Sequence, residues 1–186
     1  KIEMTNQGKQ IRVRFAPSPT GELHIGSARS ALFNFLFAKH HGGKTILRIE
    51  DTDQKRFVAG SVERLVKSLK WLGIEFDESP QKGGKHAPYT QSERLGIYQE
   101  FAQKLIEEGH AYYCFCTEDR LKKMRETQIK NKQAPMYDRK CLALSGAEKK
   151  KNTETKKPYV IRLKVNPSGK TSFTDLIRGY VEFDNS

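Results

Sequence analysis

Residues 12–29 read R-V-R-F-A-P-S-P-T-G-E-L-H-I-G-S-A-R, and their reading decides the fold. Ile11 to Phe15 alternate apolar and basic side chains, the period of a half-buried strand. Ala16-Pro17-Ser18-Pro19-Thr20-Gly21 cannot prolong it, because two prolines lack amide donors and Gly21 permits a tight turn. From Ile25 the apolar residues Ala28, Leu32, Phe35 and Leu36 recur at helical spacing, which places His24-Ile25-Gly26-Ser27 at a helix N-terminus. Unpaired amides and the helix dipole favour an anion there. A strand, a Pro/Gly loop and a helix start in that order describe a nucleotide-phosphate site.

Working outward, His40-His41-Gly42-Gly43 stops the helix and Thr45 to Ile49 reads as a largely buried strand, as in a parallel sheet. Ligands of such a βαβ unit gather beyond the carboxyl ends of its strands, so the 16–27 loop and Glu50-Asp51-Thr52-Asp53 are expected beside one crevice. Ser61 to Leu72 carries an apolar face at helical spacing, with Ser61 as its cap and Gly73 as its stop. Asp77 to Pro88 is a loop, and Ser92 to Gly109 repeats the capped helical pattern through Leu95, Tyr98, Ala102, Leu105 and Ile106.

A second domain is expected from about Ala111, dividing the chain into 1–110 and 111–186. Its pattern is α+β: a strand over Ala111 to Phe115, a charged helix from Thr117 to about Lys130, and a strand over Tyr159 to Val165 ended by Asn166-Pro167-Ser168-Gly169. Between them Glu148 to Lys157 is almost wholly Lys, Glu, Thr and Asn, which predicts a mobile surface loop.

Composition narrows the class of protein. With 36% hydrophobic residues the chain can build a core, no run approaches the roughly 18 apolar residues of a membrane span, and the polar start Lys1 to Gln10 is no signal peptide. A cytoplasmic protein with no membrane association is expected. Thirty-four Lys+Arg against 22 Asp+Glu give a formal charge of +12, which favours a polyanion such as RNA. The thiols are Cys114, Cys116 and Cys141, with Tyr137 four residues before the last. A disulfide is not expected in a reducing compartment, which leaves reduced buried thiols or ligands of a metal ion.

P-S-P-T-G-x-L-H-I-G followed by Arg48-Ile49-Glu50-Asp51-Thr52-Asp53 resembles the N-terminal catalytic half of a class I aminoacyl-tRNA synthetase, in particular a glutamyl-tRNA synthetase. His24 to Ser27 correspond to its HIGH signature, with Ser27 in place of the last histidine, and the resemblance continues through Gln91-Ser92-Glu93-Arg94, Tyr137-Asp138 and Asp175-Leu176-Ile177-Arg178-Gly179. It implies a Rossmann-like parallel half-domain followed by an α+β insert that grips the tRNA acceptor end. The implied partners are ATP, Mg²⁺, L-glutamate and tRNA(Glu), acting on a monomer.

By the same resemblance His24 and Gly26, with Ser27, act in catalysis, and Ser18, Thr20, His24 and Gly26 contact ATP. Arg14, Ala16 and Ser18 lie in the stretch that contacts glutamate, and Glu50 approaches its amino group. The chemistry is complementary, since two carboxylates and one ammonium call for a guanidinium, a hydroxyl and an acid. Read without the family, His24 is a helix cap, Arg14 an exposed strand residue and Glu50 a carboxylate paired with Arg48. Asp51 and Asp53 carry no catalytic role, although acids beside a phosphate site can help place Mg²⁺ through water. Some glutamyl-tRNA synthetases bind structural Zn²⁺ through C-x-C, a spacer and C-x-H; Ala143 stands at the histidine position here, so Tyr137 would join Cys114, Cys116 and Cys141.

A KMSKS-like loop is missing from the sequence, so a fragment that charges no tRNA by itself is expected. Two other readings remain at this point: the synthetase-like enzyme that glutamylates a modified base of tRNA(Asp), which has a shorter thiol spacer, and a non-catalytic tRNA-binding module.

Overall fold

A computed structural model describes residues 10–53 and 55–185; most of the polar start and the last residue of the second expected domain lie outside them. The chain divides into two compact units, Lys1–Tyr98 and Gln99–Ser186.

In the first unit, β1 (Arg12–Phe15), α1 (Ile25–His40) and β2 (Lys44–Leu47) form a βαβ unit. Its two strands are parallel, with Arg12 opposite Lys44 and Phe15 opposite Leu47. The ladder runs beyond the formal strand ends, because Arg48 N–H donates to Phe15 O at 3.1 Å and Glu50 N–H to Pro17 O at 2.9 Å. On its other edge β2 meets two short extended segments: Leu47 N–H donates to Glu78 O and Ile49 N–H to Tyr89 O, both at 2.9 Å. Phe15, Leu47 and Ile49 form a core with Ala31 of α1 and with Leu65 and Leu69 of α2 (Ser61–Trp71).

Helix α1 buries part of the expected stripe and adds alanines to it. Ala28, Ala31 and Ala38 are the buried positions and Phe35 packs beside them, while Leu32 and Leu36 stay 39% and 52% exposed. Small residues let the helix lie close to the sheet, and Leu32 and Leu36 face outward.

Two expected caps are also corrected. The N-cap of α2 is Gly60, at φ 72°, a left-handed conformation that glycine adopts without a Cβ clash. Ser61 is the first helical residue, and its buried hydroxyl donates instead to Pro19 O at 3.1 Å. Ser92 lies within a 3₁₀ turn (Gln91–Arg94) ahead of α3 (Leu95–Glu107), and it bonds to Asp51 rather than to a helix end. The division between the two units falls inside α3.

The second unit pairs β3 (Ala111–Cys114) with β4 (Val160–Leu163) antiparallel, and β5 (Lys170–Asp175) with β6 (Gly179–Asp184) as a hairpin. Helix α4 (Glu118–Lys130) starts at Thr117, whose side chain accepts from Arg120 N–H. The expected loop over Glu148 to Lys157 is largely helical, as α5 (Gly146–Glu154). Its start is a capping box: Ser145 Oγ accepts from Glu148 N–H at 3.2 Å, and Glu148 Oε2 accepts from Ser145 N–H at 2.8 Å. That cap and the good helix formers Ala147, Glu148 and Lys149 to Lys151 hold a helix that has no apolar face.

Candidate active site and thiol cluster

In the first unit the two sequence blocks are one structure. Phe15 O and Pro17 O accept from Arg48 and Glu50, and Pro19 O accepts from Val58 N–H at 3.0 Å as well as from Ser61. Prolines have carbonyls but no amide hydrogens, so Pro17 and Pro19 serve here only as acceptors. Alternation then sorts the side chains. Phe15, Leu47 and Ile49 go to the core, whereas Arg14 of β1, and Arg48 and Glu50 beyond β2, take the opposite face. Arg14 and Ser18 are exposed and Ala16 half-buried.

His24 caps α1: its Nδ1 accepts from Gly26 N–H at 3.1 Å. In the neutral ring the proton is therefore on Nε2, which is left as a donor. Capping and anion binding are thus compatible roles of one side chain. Gly26 matters sterically, since a Cβ there would lie 3.2 Å from His24 Nδ1. Ser27 N–H and Ala28 N–H both donate to His24 O, at 2.9 and 3.0 Å, so they belong to the first helical turn. Thr20 N–H donates to Ser18 O at 2.9 Å, which folds the loop between them.

The acidic block is engaged by protein partners. Glu50 Oε1 accepts from Arg48 NH2 at 2.9 Å, so the pairing foreseen without the family is present. Asp51, 9% exposed, accepts from Ser92 N–H at 2.9 Å and Ser92 hydroxyl at 2.6 Å. Asp53 accepts from Arg56 at 2.6 Å, and this hydrogen bond holds its carboxyl below the usual range. Ser92 and Arg56 thus each bond one of these carboxylates. Glu78 receives Arg12 through two N–H groups at 2.5 and 2.8 Å and also the Tyr89 hydroxyl. The Arg12 hydrogen bonds outweigh burial and pull the Glu78 carboxyl down to about 2. The sequence reading missed this cluster and the Asp51–Ser92 bond.

In the second unit Cys114, Cys116 and Cys141 are free thiols whose sulfurs all lie within 4.8 Å of one another. Cys116 Sγ is 3.5 Å from Cys141 Sγ, near the ~3.8 Å that two 2.3 Å zinc–sulfur bonds give in a tetrahedron. The Tyr137 hydroxyl sits among them, 3.2 Å from Cys114 Sγ and 3.4 Å from Cys116 Sγ, and accepts from Cys141 N–H at 3.2 Å. Burial and the thiols around it push this phenol up. Arg162 stacks 4.1 Å from the Tyr137 ring centroid, and Arg120 donates to Cys116 Sγ at 3.4 Å. Although burial raises Cys114, hydrogen bonding with Tyr137 and Arg162 outweighs it and lowers the thiol to about 7. Three soft donors flanked by two guanidiniums fit a thiolate-bound cation.

The family described as tRNA synthetases class I (E and Q), catalytic domain, matches residues 10–186. A glutamate–tRNA ligase of Dehalococcoides mccartyi is 53% identical over 183 residues, covering 98% of this chain and 36% of that protein. A glutamate–tRNA ligase of Geobacillus thermodenitrificans is 52% identical over 179 residues, covering 95% of this chain and 36% of that protein. Among solved structures, a glutamate tRNA ligase from Elizabethkingia meningosepticum in complex with its amino acid superposes with a TM-score of 0.87 at 42% identity. That match covers 95% of this chain and 37% of that one. The chain therefore spans little more than a third of its relatives' length, and its α/β fold is the Rossmann-like one of those neighbours. Among the described residues no helix is long and apolar enough to cross a membrane.

Proposed function

From the premise that this chain belongs to the catalytic-domain family of the class I tRNA synthetases (E and Q), we propose that it supplies the first catalytic portion of an enzyme ligating L-glutamate to tRNA(Glu). The observation that carries this reading is the hydrogen-bonded union of the two signature blocks, through Phe15 O with Arg48 N–H and Pro17 O with Glu50 N–H. It puts Arg14, Arg48 and Glu50 on one face at the end of the parallel pair whose following loop leads to the His24 cap. Relatives named glutamate–tRNA ligase favour glutamate over glutamine as substrate.

In the proposed reaction the glutamate carboxylate attacks the α-phosphorus of ATP, releasing pyrophosphate and forming glutamyl-adenylate. A ribose hydroxyl of the terminal adenosine of tRNA(Glu) then takes the glutamyl group and AMP leaves. Chemistry of this kind needs two anions held together and charge on phosphate stabilised. His24 Nε2–H and the α1 N-terminus act on the phosphates, with Gly26 leaving the imidazole room. Arg14, Ala16 and Ser18 receive glutamate, Glu50 accepts from its ammonium, and Ser18 and Thr20 border the nucleotide. Mg²⁺ arrives with ATP. The insert of 111–186, basic like the rest of the chain, meets the tRNA acceptor end, and Cys114, Cys116, Cys141 and Tyr137 hold a structural Zn²⁺ in it. The enzyme works as a cytoplasmic monomer.

The test is glutamate-dependent exchange of labelled pyrophosphate into ATP by the gene-length protein. Exchange that requires tRNA(Glu) is the expected result. Exchange without tRNA would replace the reading by that of a tRNA(Asp)-modifying enzyme, and tRNA binding without any exchange would leave a binding module.

A further inference from the structure

We infer that Arg48 is a positioning residue for Glu50, fixing one carboxylate oxygen so that the other is preorganised to accept from the substrate ammonium. The inference rests on the reading of this site as one that activates glutamate. Arg48 and Glu50 are two residues apart on extended chain, which places both on one face while Leu47 and Ile49, 1% and 3% exposed, anchor the other. Their backbones are held by Phe15 O and Pro17 O, so neither Cα can drift. The side chains are only 18% and 30% exposed, and they meet through Arg48 NH2 and Glu50 Oε1 at 2.9 Å.

Two details separate this pair from an ordinary surface ion pair. Glu50 Oε2 has no hydrogen-bond partner among the described residues, which leaves one oxygen for a ligand. Arg48 Nε is buried and also lacks a partner among the described residues. A guanidinium on a long stem could carry that donor to water, yet it stays inward while its NH2 reaches Glu50. Without Arg48 the flexible Glu50 side chain would have to be ordered on each binding event, and the order that binding requires would weaken glutamate capture. The amino group alone would feel this loss, because Glu50 faces no other part of the substrate in the proposed pose.

The experiment uses the full-length enzyme and the variants Arg48→Gln, Arg48→Lys, Glu50→Gln and the double variant Arg48→Gln/Glu50→Gln. It reads KM and kcat for glutamate, KM for ATP, and inhibition by glutarate, which has both carboxylates and no amino group. Arg48→Gln is expected to raise KM for glutamate about tenfold or more, as loss of an outer-shell partner does elsewhere. Its glutarate inhibition constant and KM for ATP should stay within about twofold, Arg48→Lys should recover most of the loss, and the double variant should be no worse than Glu50→Gln. Equal weakening of glutamate and glutarate, or an unchanged KM for glutamate, would overturn the inference. A wild-type enzyme that activates no glutamate would remove the function reading first and this inference with it, whereas an active wild type with an unaffected Arg48→Gln variant removes the inference alone.

Discussion

Ser92 donates both its backbone N–H and its hydroxyl to the carboxylate of Asp51, at 2.9 and 2.6 Å, across 41 residues of sequence. The bond ties the acidic turn after β2 to the 3₁₀ turn before α3. Ser92→Ala deletes the hydroxyl donor and keeps the backbone one. With Asp51 nearly buried, the variant should lose about 1–3 kcal/mol of stability, read as a lower urea midpoint with an unchanged slope.

Gly26→Ala should separate stability from activity. Alanine is the better helix former, yet its Cβ would press on His24 Nδ1 at 3.2 Å. Thermal unfolding is expected to change by no more than a few degrees, while ATP-dependent pyrophosphate exchange by the full-length enzyme falls about tenfold or more through the displaced imidazole. An equally active variant would show that the ring's position is unimportant.

Acid should unfold the first unit partly through Glu78. Its carboxyl lies at about 2 when folded against an ordinary 4.5, so the folded state favours the ionised form. The resulting stability is complete above pH 4.5 and is lost as the pH falls from there through about 2. Glu78→Gln is expected to be less stable than wild type at pH 7, and its melting temperature should fall less over that acid range. Parallel melting curves from pH 7 to 2 test this directly.

Purified protein should contain about one zinc per chain, measured by elemental analysis, with three soft donors already gathered. Cys116→Ser should abolish retention. Tyr137→Phe should weaken it by about tenfold or more without abolishing it, because the oxygen donor is lost while the three sulfurs remain. Metal-free wild type after growth and purification with added zinc would reduce the cluster to three buried thiols.

What could be read from the sequence was what short-range pattern controls. The β1 alternation, the Pro/Gly turn and the helix start at His24 are each specified within a few residues, and the structure has them. Helix α5 was missed for a physical reason: hydrophobic periodicity finds helices that bury a face, and this one buries none. Its Ser145-x-x-Glu148 box was nevertheless a readable start signal. In α1 the stripe of Ala28, Leu32, Phe35 and Leu36 held at Ala28 and Phe35, whereas the close approach to the sheet buried Ala31 and Ala38 and left Leu32 and Leu36 exposed. The Ser92–Asp51 and Arg12–Glu78 bonds join residues 41 and 66 apart, and no local rule pairs them. Hence Ser61 and Ser92, both plausible caps by type, proved to be ties to distant segments.

The acceptor-only role of Pro17 and Pro19 affects how the stiffness of this loop can be observed. Hydrogen exchange reports amide protons, and the two prolines contribute none. Protection created by the loop's carbonyls instead falls on the amides of Arg48, Glu50 and Val58. A deuterium-uptake map would therefore register nucleotide or glutamate tightening the signature loop as slower exchange in residues 48–58, on chain that touches the loop from outside.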